Sequence, residues 1–301
     1  MRYHAVKEIS MKLLSFGEIL FDVFGDTATL GGAPLNVAAH YRQLGGESSI
    51  ISAVGNDELG ERALDEIEDL DVDPSMIEML DGTPTGRADI TLHGKDATYE
   101  FNYPAAWDRI RIYDDDIDEI EDGNTIIYFG TLALRSTASF LSLQKLLGET
   151  APAEVFVDIN LRKDFYSDDI LSYCLDNATI LKINDDEIEV LSDMLALEKA
   201  DGKELSSWLF DNTAVETLLL TRGKKGSNLF IKDEKPIHVD CSNVNVVDTV
   251  GAGDSLSAAY LFFRYEKKLS PADALFKATA VADYVVSHKG AIPSYDASLF
   301  V

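Results

Sequence analysis

The chain has 301 residues, and its 53 Asp and Glu against 26 Lys and Arg give a net charge of −27. So anionic a protein is repelled by phosphate backbones and anionic lipid, which are held by Lys and Arg that displace counterions, so nucleic acid and membrane surfaces are excluded as partners. A hydrophobic content of 46% with 9% aromatics belongs to a globular chain able to bury a core.

The first ten residues, MRYHAVKEIS, carry charge on both sides of Val6 and no apolar run. They read as a short N-terminal extension without a secretion signal, which predicts a cytoplasmic protein. From Met11 onward, short β-rich runs alternate with amphipathic stretches, the pattern of parallel strands joined by crossover helices. Strands are expected over Lys12 to Ile19, Ser49 to Val54, Thr125 to Phe129, Val155 to Asp158, Thr179 to Ile183 and Thr217 to Leu220. Helices are expected over Ala33 to Leu44, stopped by Gly45-Gly46, and over Glu58 to Leu70, capped by Asp57. Further helices fall at Thr137 to Leu147, Asp185 to Leu191, Lys203 to Asp211, Ala252 to Tyr265 and Ala272 to Ser287, the last after Pro271. Residues 11 to 301 therefore read as one α/β domain with a doubly wound, mostly parallel sheet flanked by helices.

Two segments, 21 to 30 and 86 to 103, break the rhythm. They alternate apolar and polar residues around turn signals at Gly25-Asp26 and His93-Gly94-Lys95, which suits antiparallel hairpins. Inserted into a doubly wound domain, such hairpins would form a small β lid over the strand ends, and an ordinary edge hairpin fits the same pattern. Asp114 to Asp122 (DDDIDEIED) is a solvated helix start. Cys174 and Cys241 match no metal-ligand spacing and read as reduced core thiols. The five His are scattered without paired ligands, so no zinc site is expected, and His40 either packs inside its helix or faces solvent.

The most informative stretch is Val246 to Ala259, VVDTVGAGDSLSAA. Val246-Val247 read as a strand end, Gly251 and Gly253 strip side chains from a turn, and an apolar helix follows. A glycine turn feeding a helix N-terminus offers free backbone N–H groups and the positive end of the helix dipole, a combination that holds phosphate. Asp254 in that first turn reads as a helix cap, or as a carboxylate that takes a proton from an attacking hydroxyl while the backbone stabilises a transferred phosphoryl group. Walker A, Gly-x-Gly-x-x-Gly, His-Glu-x-x-His and Gly-x-Ser-x-Gly motifs are all absent from the sequence.

Asp248 to Ser255, DTVGAGDS, closely resembles the C-terminal signature of the ribokinase-like sugar kinases, the phosphofructokinase-B family. A second signature lies at Gly31-Gly32-Ala33-Pro34-Leu35-Asn36-Val37-Ala38, followed by Val54 to Gly60 (VGNDELG), and the likeness runs from about Met11 to Ser294. The resemblance implies the ribokinase-like fold and ATP-dependent phosphorylation of a sugar primary hydroxyl. It makes Asp254 the general base, with Gly251, Ala252 and Gly253 as the anion hole and Arg162 neutralising phosphate. Asp22, Gly32 and Asn36, with Asp254, would bind the sugar. Asn184 and Glu187, in Lys182 to Glu187 (KINDDE), would position Mg²⁺ through water, and Thr221, Gly223 and Gly226 would line the nucleotide loop.

The Gly-Gly-Ala-Pro-x-Asn-Val-Ala form is similar to that of fructokinases, whereas ribokinases usually carry Lys where this chain has Ala33. A kinase of 2-keto-3-deoxygluconate would want a cation for the acid group; Tyr99 to Asp108 has none, although Arg87 would serve. Ribose, 2-keto-3-deoxygluconate and a non-catalytic regulator binding sugar and nucleotide on the same fold are the alternatives. The resemblance further implies a K⁺ site from Asp248, Val250, Gly290 and Ser294, and the lid edges invite pairing into a homodimer.

Overall fold

The computed structural model describes residues 10–93 and 96–301. The extension up to Ile9 and the Gly94-Lys95 part of the expected hairpin turn lie outside these residues. In chain order the elements begin with β1 (Lys12–Phe16), β2 (Leu20–Phe24), β3 (Thr27–Gly31), α1 (Ala33–Gln43), β4 (Glu47–Gly55) and α2 (Glu58–Asp69). They continue with β5 (Ile77–Leu80), β6 (Gly86–His93), β7 (Asp96–Phe101), α3 (Asp114–Asp118), β8 (Thr125–Gly130), α4 (Thr137–Glu149), β9 (Glu154–Asp158) and α5 (Asp168–Asn177). The chain closes with β10 (Ile180–Asn184), α6 (Asp185–Met194), α7 (Gly202–Asn212), β11 (Thr217–Thr221), β12 (Ser227–Ile231), β13 (Ile237–Val239), α8 (Ala252–Leu261) and α9 (Pro271–Val286).

Nine strands form one sheet in the order β13-β12-β11-β10-β9-β8-β1-β4-β5, and all run the same way except β12, which is antiparallel to both β11 and β13. The chain runs outward from β1 through β4 to β5, then returns to β8 and runs the other way to β11. The reversal between β1 and β8 opens a crevice at the carboxyl ends of the strands, where ligands of such sheets bind. Strand residues alternate between two cores, as a period of two requires. Leu14, Phe16, Ile127, Phe129, Val157 and Ile183 pack with Leu143, Leu171, Leu191 and Leu209 from α4 to α7. Leu13, Ile126, Tyr128, Phe156 and Ile180 pack on the other face with Val37 and Tyr41 of α1 and the buried faces of α8 and α9.

The two hairpins are present, and they join into one four-stranded sheet, β3-β2-β6-β7, in which β2 and β6 run parallel. Elsewhere several expectations are corrected. β1 ends at Phe16 rather than Ile19, because the chain turns at Gly17, whose φ is 146°. Val246 and Val247 belong to no strand and are 45% and 56% exposed; the N–H groups of Val247 and Asp248 donate to the Val286 carbonyl at the end of α9 rather than to a strand. α8 stops at Leu261 and passes into a π-turn over Phe262–Glu266. α5, β5, β12 and β13 had no counterpart in the sequence reading.

Candidate active site

Three strand ends and two helix starts converge at the crevice. Gly251 takes the left-handed conformation, φ 78°, that begins α8, and a Cβ there would lie 2.4 Å from the Ala291 carbonyl oxygen. Only glycine allows both the turn and this close approach. The turn leaves the first N–H groups of α8 unpaired by the helix itself, in a position to hold an anion. Asp254, the third residue of α8, is half-buried, and its Oδ2 accepts a hydrogen bond of 2.7 Å from Asn36 Nδ2 on α1. Asn184 caps α6, and Ser52 Oγ donates to the carbonyl of Gly17 at the end of β1, holding that turn in place.

Burial raises the Asp254 carboxyl above the usual carboxylate range; the Asn36 bond opposes this, Asp158 adds to it, and Lys182 and Arg162 counter it. A base moved toward neutral pH is better matched to taking a proton there. Asp22, on the lid strand β2, is likewise raised by burial and held back by Arg162. The Arg162 guanidinium is exposed and acts on Asp22, Asp254 and Glu18 together.

Beneath the α8 turn lies a buried ion pair that the sequence reading did not single out. Lys182 Nζ bonds Asp158 Oδ2 at 2.7 Å, and a Cβ on Gly253 would lie 3.2 Å from that ammonium. Burial pulls the ammonium down, but Asp158 and Glu187 outweigh it, so Lys182 stays charged under the anion hole. Tyr128 donates its hydroxyl to the same Asp158 oxygen, and Asp158 Oδ1 is buried without a partner.

Asn184 and Glu187 meet in a capping box. Asn184 Oδ1 accepts the N–H groups of Asp186 and Glu187, while Glu187 accepts from Asn184 N and from Leu161 N through its two oxygens. Each Glu187 oxygen holds one backbone donor and keeps a lone pair for a water, while Asn184 Oδ1 is filled by two N–H groups and leaves its Nδ2 to donate, so the pair fits a hydrated ion rather than direct ligation. Among the described residues, no group of three or more His, Cys, Asp or Glu is arranged to hold a metal ion. Asp185 turns away to pair with Arg222 at 3.0 Å.

The nucleotide-loop residues Thr221, Gly223 and Gly226 do come together, in a cavity of about 510 Å³ that reaches Ala252 and Gly253 at the start of α8. Its remaining wall had no sequence signal: Cys241, Asn243 and Val246 from an irregular loop, with Thr279, Ala282 and Asp283 from α9. Asp283 Oδ2 accepts Ser242 N at 2.8 Å and pins that loop to the helix. Cys241 is therefore not a core thiol, being half-buried in the cavity wall with Sγ 3.4 Å from the Gly223 carbonyl, while Cys174 is fully buried.

Asp248 links the two loops expected to form the K⁺ site, accepting Val250 N through Oδ1 and Gly290 N through Oδ2 at 3.1 Å each. The Ser294 carbonyl accepts the Tyr284 hydroxyl. His40 packs rather than facing solvent: Nε2 lies 2.9 Å from the Ala291 carbonyl, so it carries the proton, and Nδ1 accepts the Tyr295 hydroxyl at 3.0 Å. Arg87 is committed to Asp89 at 2.6 Å. No helix among the described residues is long and apolar enough to cross a membrane.

The chain is similar to known proteins over most of its length. A sugar kinase of Pyrococcus horikoshii is 31% identical over 267 residues, covering 83% of this chain and 81% of that protein. A fructokinase of Oryza sativa subsp. japonica is 28% identical over 312 residues, covering 94% of this chain and 90% of its own. The crystal structure of the Pyrococcus protein in complex with ATP superposes with a TM-score of 0.77 at 27% identity, over 95% of this chain and 96% of that one. Residues 5–298 match the pfkB family carbohydrate kinase, so a glycine turn at the start of α8, an adjoining cavity and a mostly parallel nine-stranded sheet belong to a sugar kinase of that family.

Proposed function

We propose that this chain is an ATP-dependent fructokinase, giving fructose 6-phosphate or the 1-phosphate isomer. The observation that carries the reading is the 2.7 Å bond from Asn36 to Asp254, which ties the sugar motif to the base, the residue after Gly253 in the cavity wall. Asn36 occupies Oδ2, and among the described residues Oδ1 of Asp254 accepts no hydrogen bond, which leaves it to a primary hydroxyl. The hydroxyl oxygen attacks the γ-phosphorus in line; its proton passes to Asp254, the new O–P bond forms, and the bond to the ADP oxygen breaks. The N–H groups of Gly253 and Asp254 receive the developing negative charge, joined by that of Ala252 once it leaves the Thr249 carbonyl, 3.4 Å away, with Lys182 beneath them and Arg162 beside them. Asp22, Gly32 and Asn36 orient the sugar, and Thr221, Gly223 and Gly226 line the nucleotide.

Asn184 and Glu187 would hold Mg²⁺ through its waters, and the ion would neutralise charge on the ATP phosphates. The loops joined by Asp248 would supply carbonyl oxygens to K⁺; turnover that is unchanged when K⁺ is replaced by a bulky organic cation overturns that part. A second copy pairing at the edges of the β3-β2-β6-β7 sheet would give a dimer of twice the mass in sedimentation.

Fructose is preferred over 2-keto-3-deoxygluconate because Arg87 is held by Asp89, and Arg135 is buried against Asp108. A panel of fructose, ribose, glucose and 2-keto-3-deoxygluconate assayed for ATP consumption, with the product position read by NMR, tests the reading. Turnover of fructose alone supports it, and turnover of the acidic sugar alone defeats it.

A further inference from the structure

Glu18 stands just past β1, where the chain turns toward the lid, and is 4% exposed. Its backbone presses on the start of α1: a Cβ on Gly32 would lie 2.3 Å from the Glu18 carbonyl oxygen and 3.5 Å from its Cγ. Only glycine admits so close an approach, and the Gly32 φ of +114° is one that side chains rarely adopt. The contact places the Glu18 side chain at the same end of α1 that carries Asn36.

Glu18 Oε2 is buried and has no hydrogen-bond partner, and Asn36 Oδ1 is in the same condition. Buried polar atoms are almost always paired, and an acceptor left without a donor is costly, so two of them at one helix end call for donors from outside the chain. Sugar hydroxyls are such donors. The charged and titratable groups that act on Glu18 are Arg162, from the loop after β9, Asp254 of α8 and, as a hydroxyl, Tyr128 of β8. Burial pushes the carboxyl up to about 7, with its own N–H, Arg162 and the Ala33 N–H at the start of α1 opposing and Asp254 adding.

We propose that Glu18 is a specificity-determining residue of the sugar site, its Oε2 accepting a hydroxyl of a neutral polyol beside Asp22 and Asn36. This rests on the sugar-kinase reading above and deepens it to a substrate class. A sugar acid would bring one more carboxylate to Glu18, Asp22 and Asp254, with Arg162 as the cation they share.

Glu18→Gln keeps the shape and removes the charge-bearing acceptor. Calorimetric titration of the full chain with fructose, without nucleotide, is expected to show affinity lowered about tenfold, with the loss falling on the sugar KM more than on kcat. Wild-type affinity is expected to rise between pH 6 and 8 as the carboxyl ionises, and Glu18→Gln to lack that step. Unchanged sugar affinity and pH profile in Glu18→Gln, or equal loss of sugar and ATP binding, assigns Glu18 to the scaffold and overturns the proposal. Where melting shows Glu18→Gln to be unfolded, Glu18→Asp withdraws the carboxylate by one methylene; selective loss of sugar affinity supports the proposal, and wild-type affinity overturns it. A wild-type chain that binds another neutral sugar but not fructose defeats the fructose reading and leaves Glu18 to be tested with that sugar. One that phosphorylates only a sugar acid defeats the Glu18 proposal, while the kinase activity stands.

Discussion

The two halves of the crevice are built from different materials. At the end that carries Asn36, Glu18, Asp22, Asp158 and Asp254 gather around Arg162 and Lys182, and one oxygen each of Glu18 and Asp158 is buried without a donor. The cavity beside α8 is walled mostly by glycine, small and apolar side chains and loop backbone, with Lys224 and Asp283 as its charged groups. Its segment from Ser242 to Val301 is nearly neutral, six acids against five bases, within a chain of net charge −27. The difference teaches how, on the proposed reading, an acidic protein would receive an anionic ligand, through backbone dipoles with Lys182 and Lys224 nearby, while its carboxylates face a neutral ligand that supplies O–H donors.

Removing the carboxylate at the junction should have the largest effect. Asp254→Asn is expected to lower kcat by 10² to 10⁴-fold, on the order typical for a positioned base, while the melting temperature stays near wild type; near-wild-type turnover defeats the assignment. Filling the nucleotide cavity should separate its two halves. Ala282→Phe inserts a ring into the wall and is expected to raise the KM for ATP roughly tenfold or more, as overpacking does, with fructose affinity in calorimetry unaltered.

Smaller effects sharpen the contrast in charge. Arg162 holds down the carboxyls of Glu18, Asp22 and Asp254, so Arg162→Gln should raise all three. The acid limb of kcat/KM against pH then moves to higher pH, with about a tenfold loss at pH 7; an unmoved limb shows that Arg162 does not reach the acids in solution. The smallest expected effect is structural. Burial pulls His40 down to about 4, against the raising bond to Ala291, so the folded chain releases a proton that the unfolded chain binds below pH 6.5. His40 therefore contributes stability that is present above pH 6.5 and lost as pH falls toward 4. His40→Gln should lose roughly 0.5–1 kcal/mol of stability at pH 8 and lack that acid-dependent loss in melting curves taken across the range.

Much of the fold was legible because its signals are local. The run Ser167 to Asn177, read as no element, shows the limit: Ser167 caps α5, and Leu171, Cys174 and Leu175 lie at helical spacing on its buried face. Three apolar positions in a short, acidic stretch are too few to stand out from a loop. The same limit explains Val246-Val247, where two β-branched residues suggest a strand but the backbone bonds to the Val286 carbonyl at the end of α9. Of the site, the glycine turn and the motifs around Asn36, Asn184 and Thr221 were readable, since each is a short backbone pattern. Glu18, Lys182 and the α9 side of the cavity were not, since none differs from an ordinary residue until its surroundings are known.

By itself the sequence determined the alternating α/β order, the helix caps, the glycine turn at Gly251 and the acidic excess, all of which depend on neighbours a few positions away or on composition. Tertiary structure alone decided that Asn36 bonds Asp254 across 218 positions, that Lys182 sits charged beneath Gly253, and that the Glu18 carboxyl is buried with an oxygen unpaired. Hydrogen-bond partners and carboxylate ionisation follow from desolvation and from charges brought close by long-range packing, and no local pattern encodes those distances.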